Sequence, residues 1–156
     1  MIGLLQRVSC ASVEIEGEVV GVIAAGLVVF LGVEKGDGEA QANRLLERLL
    51  GYRVFTDHEG KMNRSLKDID GGLLLIPQFT LPADTKKGMR PSFTPAAEPT
   101  VGKRLFDYIV RRAHAQHANV AYGCFGAHMQ ITLTNDGPVT FWLHAQPTAS
   151  ESAVPK

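Results

Sequence analysis

The sequence predicts one mixed α/β domain, and three observations carry that expectation. Apolar and polar residues alternate over 2–23, as they do in strands with one buried face. Two uncharged apolar runs, 26–33 and 73–79, have the length of buried strands rather than of helices. Two longer stretches, 39–50 and 100–116, place their apolar residues at helical spacing. Strands, a helix, strands, a helix and strands again is the order of a sheet with helices packed against it.

Taken in order, residues 2–9 and 12–16 are expected as strands, Glu16-Gly17-Glu18 as a turn, and Val19–Ile23 as the hairpin partner. The continuous run Gly26–Val33 reads as a strand central in the sheet. Asp37 stands where it can cap the helix Glu39–Leu50, whose Ala42, Leu45, Leu46, Leu49 and Leu50 form one stripe. Gly51 ends that helix, Tyr52–Phe55 is a short strand, and Asp57-His58-Glu59-Gly60 is a turn. Leu73–Phe79 is the next strand, and Pro82–Pro95 is a polar loop. Pro99 suits the first turn of a second helix, Thr100–Gln116, with Leu105, Tyr108, Ile109 and Arg112 at helical spacing. Phe125–Thr134 and Val139–Leu143 are expected as strands joined by a turn at Asn135-Asp136-Gly137-Pro138. Residues 1–145 make one domain. The small, polar, proline-containing stretch 146–156 is expected to be a disordered tail.

Composition narrows the function classes. Basic and acidic residues balance at 16 each, so a protein that coats a nucleic-acid backbone is disfavoured and any such contact must be local. Cys10 and Cys124 make neither a metal spacing nor a disulfide framework, which points to a reducing cytoplasm. No apolar run approaches membrane-spanning length, so no membrane is expected as a partner, and with the charges balanced DNA is not expected either. Of the histidines at 58, 114, 117, 128 and 144, only His114 and His117 lie close together, and no metal site is expected. Gly32, Gly36 and Gly38 fit no phosphate-binding fingerprint, and no cofactor is expected.

The chemistry-bearing stretch is Leu73–Leu81. Pro77 lacks a backbone N–H, so it belongs where the ladder ends or at an edge. The N–H groups of Gln78, Phe79 and Thr80 would then face a cleft, where free amides can hold a developing oxyanion. On residue types alone, a core strand running into a turn stands ahead of that reading. Thr80 is the one hydroxyl at the strand end, and no base lies near it in sequence. Lys86, Lys87 and Arg90 are the best candidates for phosphate contacts, against an ordinary solvated loop. Gly137-Pro138 is the peptide where a cis bond costs least, although a structural turn is the default.

Together these stretches resemble the D-aminoacyl-tRNA deacylases. The resemblance rests on Gln-Phe-Thr-Leu (78–81), Lys-Gly-Met-Arg-Pro-Ser-Phe (87–93) and Asn-Asp-Gly-Pro-Val-Thr-Phe-Trp (135–142). Gln-Arg-Val (6–8), Leu-Gly-Val-Glu-Lys (31–35), Leu-Gly-Tyr-Arg-Val-Phe (50–55) and Gly-Lys-Met-Asn (60–63) fall in register with it. The resemblance implies a three-layer α/β/β fold with mixed, mainly antiparallel sheets and two main helices. It also implies a homodimer that hydrolyses the ester between a D-amino acid and the terminal adenosine of tRNA. Gly137 and Pro138, in cis, would enter the active site of the other subunit and exclude an L side chain, braced by Arg7. Such a filter passes glycine as well. Backbone amides around Gln78 and Phe79 would hold the oxyanion, Thr80 would attack or position, and Met129 would line the pocket near the terminal adenosine.

The family usually carries Ser where this chain has Pro77. A related group that edits L-alanyl-tRNA has Pro there, with Ala where Phe79 stands, and the Phe79, Arg7 and 135–140 residues favour D-specificity. L-Alanyl editing and a non-catalytic tRNA-binding module are the competing expectations.

Overall fold

Strand β1 (Ile2–Ile15) runs unbroken through what the alternation suggests are two strands. It organises the sheet because different partners take its two edges. Along one edge lies β8 (Gln130–His144), antiparallel from Ile2 to Glu14. The other edge is shared between β3 (Gly26–Gly32), opposite Ile2–Val8, and β2 (Glu18–Ile23), opposite Ala11–Ile15. Parallel to β3 runs β6 (Gly72–Pro77), and parallel to β6 runs β7 (Val120–Tyr122). The computed structural model describes residues 1–147.

Alternation along the central strands separates two cores. Leu27, Val29, Leu31, Leu73 and Leu75 face helices α1 (Glu39–Gly51) and α3 (Pro99–Gln116), meeting Leu45, Leu46, Leu49, Leu105, Phe106 and Ile109. Val28, Leu74 and Ile76 point the other way, onto Val8, Ala11, Val13 and Ile23. The second half of β1, with β2 and the start of β8, thus folds over the central strands as a third layer. The result is α/β/β, mixed and mainly antiparallel. Gly26 and Gly72 permit the closest strand contact: a Cβ on Gly26 would lie 1.9 Å from the Gly72 carbonyl oxygen.

Several expectations need correction. Asp37 does not cap α1; its carboxylate binds the Met1 ammonium, and Gln41 Oε1 accepts the Gly38 N–H at 2.8 Å instead. The strand of 52–55 is displaced to β4 (Phe55–Thr56), which pairs with an unanticipated β5 (Met62–Arg64) across the 57–60 turn. A one-turn helix, α2 (Leu66–Ile69), follows, capped by Ser65 and Asp68. Arg112 lies on the exposed side of α3, whose buried face is Leu105, Phe106, Ile109, Val110 and Ala113. The strand expected at Phe125 begins only at Gln130, after a loop in which Gly126 adopts a φ of +81°.

The most informative correction concerns residues 135–138. They do not reverse the chain. Val8 pairs with Asn135 and Gln6 with Thr140, so both halves of β8 run antiparallel to the same strand. Residues 136–139 swell outward opposite the single residue Arg7. Of the expected tail, Gln146 and Pro147 are exposed and without regular structure, and the rest lies outside the described residues.

Candidate active site

The open end of β6 is built by its last residue. Pro77 still pairs in register with Leu31, but the ladder stops there. The Gln78 N–H donates to the Leu31 carbonyl at 2.8 Å, so this amide is used by the neighbouring strand and does not face a cleft as expected. The chain then turns tightly, with Leu81 N–H donating to Gln78 O at 3.3 Å and Ala83 N–H to Thr80 O at 3.1 Å. Phe79 and Thr80 occupy the central positions of that turn. Their N–H groups have no hydrogen-bond partner among the described residues. Two adjacent unpaired amides at an exposed strand end can serve an oxyanion.

Side chains at this end are ordered by one another. Gln78 Nε2 donates to Thr80 Oγ1 at 2.6 Å, which fixes the hydroxyl and occupies one of its acceptor positions. No histidine, carboxylate or amine contacts Thr80 as a base among the described residues. Phe79 is 58 % exposed, and its ring packs on Phe93 with centroids 5.2 Å apart. Pro77, Phe79, Ala97, Pro99, Phe125 and Gly126 line a mainly apolar cleft of about 280 Å³. Met129 is half-buried nearby: a Cβ on Gly123 would touch its sulfur at 2.6 Å, Ile76 at 3.4 Å and Pro77 at 3.5 Å. Gln78, Phe79, Thr80 and Met129 therefore share one end of the sheet.

Arg7, Gly137 and Pro138 form a separate group. Arg7 Nε donates to the Asp136 carbonyl at 2.9 Å and Nη1 to the Val54 carbonyl at 2.7 Å, with the Asp136 carboxylate 3.4 Å from Nε. The guanidinium fork thus ties the swelling in β8 to the segment after α1. Gly137 has φ +135°, a region L side chains rarely enter, and the Gly137–Pro138 peptide is cis. Both residues are exposed.

Within one chain the two groups lie apart. Arg7 pairs with Leu27, whereas Pro77 pairs with Leu31, four residues further along β3. Three strand spacings also separate β8 from β6. At standard strand dimensions these offsets combine to roughly 20 Å. Residues 137 and 138 thus stand well apart from Phe79 of the same chain.

Lys86, Lys87 and Arg90 project from a loop closed at its base by reciprocal Asp84–Ser92 backbone bonds of 2.8 and 2.9 Å. All three are exposed and have no ion-pair partner among the described residues. Phe93, Ala97 and Phe125 were not singled out from sequence as site residues. Phe93 closes the Lys-Gly-Met-Arg-Pro-Ser-Phe block, so its signal was present; Ala97 and Phe125 carry none. His117, half of the close histidine pair, is buried with Nε2 2.6 Å from the Gly71 carbonyl, while His114 packs edge-on against Tyr122.

Comparison with known proteins bears on this geometry. Residues 4–144 match the family model described as D-Tyr-tRNA(Tyr) deacylase. The chain is 63 % identical over 147 residues to a D-aminoacyl-tRNA deacylase of Thioalkalivibrio sulfidiphilus, spanning 94 % of this chain and 99 % of that one. It is 60 % identical over 147 residues to one of Nitrosococcus oceani, spanning 94 % and 95 %. A solved structure titled c-Myc DNA Unwinding Element Binding Protein superposes with a TM-score of 0.90 at 31 % identity, covering 94 % of this chain and all of that one. A second, titled as a probable eukaryotic D-amino acid tRNA deacylase, has a TM-score of 0.73 over 91 % and 97 % of the two chains; at 20 % identity it shows the shared fold.

Proposed function

This chain belongs to the D-Tyr-tRNA(Tyr) deacylase family, and we propose that it hydrolyses the ester of D-aminoacyl-tRNA, releasing free tRNA and the D-amino acid. The observation that carries the site assignment is the pair of unpartnered amides at Phe79 and Thr80, beside an apolar cleft. Water attacks the ester carbonyl, and the carbonyl oxygen takes the negative charge next to these two N–H groups. Collapse of the tetrahedral intermediate expels the ribose oxygen of the terminal adenosine, which receives a proton. Preorganised donors of this kind typically contribute about 100- to 1000-fold each. Thr80, held by Gln78 and lacking a base, positions rather than attacks. A ribose 2′-hydroxyl of the substrate is well suited to orient the water.

Stereochemical choice falls to Gly137 and Pro138 in a homodimer. Because roughly 20 Å separates them from Phe79 within a chain, they reach the reacting ester only from a second copy. In that arrangement the pair holds the α-amino group and leaves no space for an L side chain, a filter glycine passes. Arg7 fixes the pair's position. Lys86, Lys87 and Arg90 meet phosphates of the acceptor end, and Met129 lines the pocket near the terminal adenosine. Among the described residues no helix is long and apolar enough to cross a membrane, and a cytoplasmic enzyme of translation fits that. Balanced charge favours such a local, end-on grip over coating DNA or RNA.

Mixing two inactive variants tests both parts. One carries Gly137→Ala with Pro138→Ala, the other Phe79→Pro, which removes an amide. Random exchange of subunits should restore about a quarter of the wild-type sites, measured as D-Tyr-tRNA hydrolysis. No recovery on mixing would remove the shared site. Equal rates on D- and L-Tyr-tRNA by the wild type, or turnover of L-Ala-tRNA alone, would overturn the proposed specificity.

A further inference from the structure

At the start of β1, just ahead of Ile2, lies a charged cluster that the proposed reaction does not use. The Met1 ammonium is fully buried and donates to Asp37 Oδ1 at 2.7 Å, Glu34 Oε2 at 2.9 Å and the Ala145 carbonyl at 2.8 Å. Its three N–H donors are therefore all used. The Asp37 side chain is also fully buried, and its second oxygen accepts the Glu34 N–H at 2.7 Å. Glu34 is further contacted by His144 Nε2 at 2.6 Å. The Met1 side chain belongs to the helix-side core, and its carbonyl accepts the Ala145 N–H at 2.9 Å.

This cluster holds one wall of the candidate site. Glu34 bridges to Ala96, Lys35 N–H donates to Pro95 O at 3.0 Å, and Ala97 N–H donates to Val33 O at 3.0 Å. Ala97 lines the cleft, and Phe93, just before this segment, packs on Phe79.

We propose that the 34–37 loop is a receptor for a free α-ammonium on an intact Met1, and that acylating this nitrogen loosens the 93–97 wall of the site. A formyl or acetyl group replaces a cation bearing three donors with a neutral amide bearing one. Asp37 is then left as a buried carboxylate without a counter-ion, the arrangement that costs most in a protein interior. Removing Met1 would also empty its core position and withdraw the nitrogen from the loop. An added residue ahead of Met1 has the same electrical effect as an acyl group.

The experiment compares the free-amine chain with its N-acetylated form, each verified by intact mass, and reads amide hydrogen exchange at Lys35 and Ala97. The acetylated chain should exchange about 150- to 5000-fold faster at these amides, the factor that breaking one buried ion pair implies. Asp37→Asn should speed exchange in the free-amine chain and have little effect, or slow it, in the acetylated chain. Should the acetylated chain fail to fold, recovery of folding by Asp37→Asn supports the receptor, and no recovery overturns it. Equal exchange in both forms overturns it too, as does an Asp37→Asn effect indifferent to acetylation. None of these readouts involves tRNA, so they stand or fall separately from the deacylase assignment.

Discussion

Arg7 donates to the Asp136 carbonyl at 2.9 Å, from the one position of β1 that faces four residues of β8. The same guanidinium reaches Val54, so a single side chain sets where the swelling sits relative to the body of the domain. Arg7→Ala removes both bonds and strands the Val54 carbonyl. Bonds from a charged donor are worth about 1–3 kcal/mol, so kcat/KM for the D ester should fall about 5- to 150-fold. The ratio of D to L hydrolysis should fall as well. Unchanged rates on both esters would remove Arg7 from the specificity device.

Gly137→Ala is expected to hurt turnover more than folding. At φ +135° a Cβ would lie 2.8 Å from Val139 Cγ2 and 2.9 Å from the Val139 nitrogen. Backbone strain of this sort costs about 1–3 kcal/mol, and an exposed swelling can relieve it by moving. Kinetics on D-Tyr-tRNA should show a loss of at least about tenfold, while the melting temperature shifts little. A large drop in melting temperature would instead make Gly137 structural.

Thr80 distinguishes positioning from attack. Its hydroxyl accepts from Gln78 Nε2 at 2.6 Å, and no base touches it among the described residues. Thr80→Val removes the acceptor but leaves the amides in place, so single-turnover rates should drop only about tenfold. Deleting a true nucleophile typically costs about 10⁶-fold. A loss of that size, or a trapped aminoacyl-enzyme, would assign Thr80 the attack.

Acid should loosen the β4–β5 hairpin. The Asp57 carboxylate accepts from the Asn63 side chain and from the Lys61 and Glu59 amides, which hold its pKa below the usual range. Asp68 is likewise held low by the Ser65 amide and hydroxyl. A carboxylate with a depressed folded-state pKa stabilises above its ordinary value of about 3.9, and that contribution fades as pH falls below it. Asp37 has the opposite sign. Burial raises its pKa against the pull of the Met1 ammonium. Protection factors against amide exchange across 55–70, taken relative to the intrinsic rate at each pH, should thus fall below about pH 4, and Asp57→Asn should remove most of that dependence in the hairpin. An unaltered acid response in Asp57→Asn would refute the assignment.

Gly26→Ala tests the parallel pairing of β3 with β6. Its Cβ would meet Gly72 backbone atoms at 1.9, 2.6 and 2.7 Å, which no side-chain rearrangement can absorb. Destabilisation of at least about 3 kcal/mol is expected in urea unfolding, at the upper end for overpacking. A near-neutral result would mean the two strands can separate locally at little cost.

Much of this architecture was legible because local rules and packing agree. Leu45, Leu46 and Leu49 are spaced for a helix and are buried in one. The run at 73–76 is apolar throughout because alternate residues face two different cores. Pro77 marks the end of its strand, as a residue without an N–H should. The misreadings arise where distant parts compete for a local signal. Asp37 has the makings of a helix cap, but a buried ammonium from another part of the chain takes its carboxylate. Asn-Asp-Gly-Pro has turn chemistry, yet pairing on both sides with β1 keeps the strand going forward. Of the site, the Gln-Phe-Thr end was visible, whereas the use of the Gln78 amide by Leu31 was not, since it depends on strand register. Phe125 and Ala97 reach the cleft only through tertiary packing and left no mark in the sequence.

The swelling in β8 has an evolutionary consequence. Because Asn135 and Thr140 stay in step with β1 on either side of it, residues 136–139 form a register-neutral cassette. Its contents can be exchanged, lengthened or trimmed without shifting any paired side chain of the strand. On the proposed assignment of specificity to Gly137 and Pro138, selection can therefore retune discrimination without re-registering β8 on β1, with Arg7 as the fixed socket into which each version must plug.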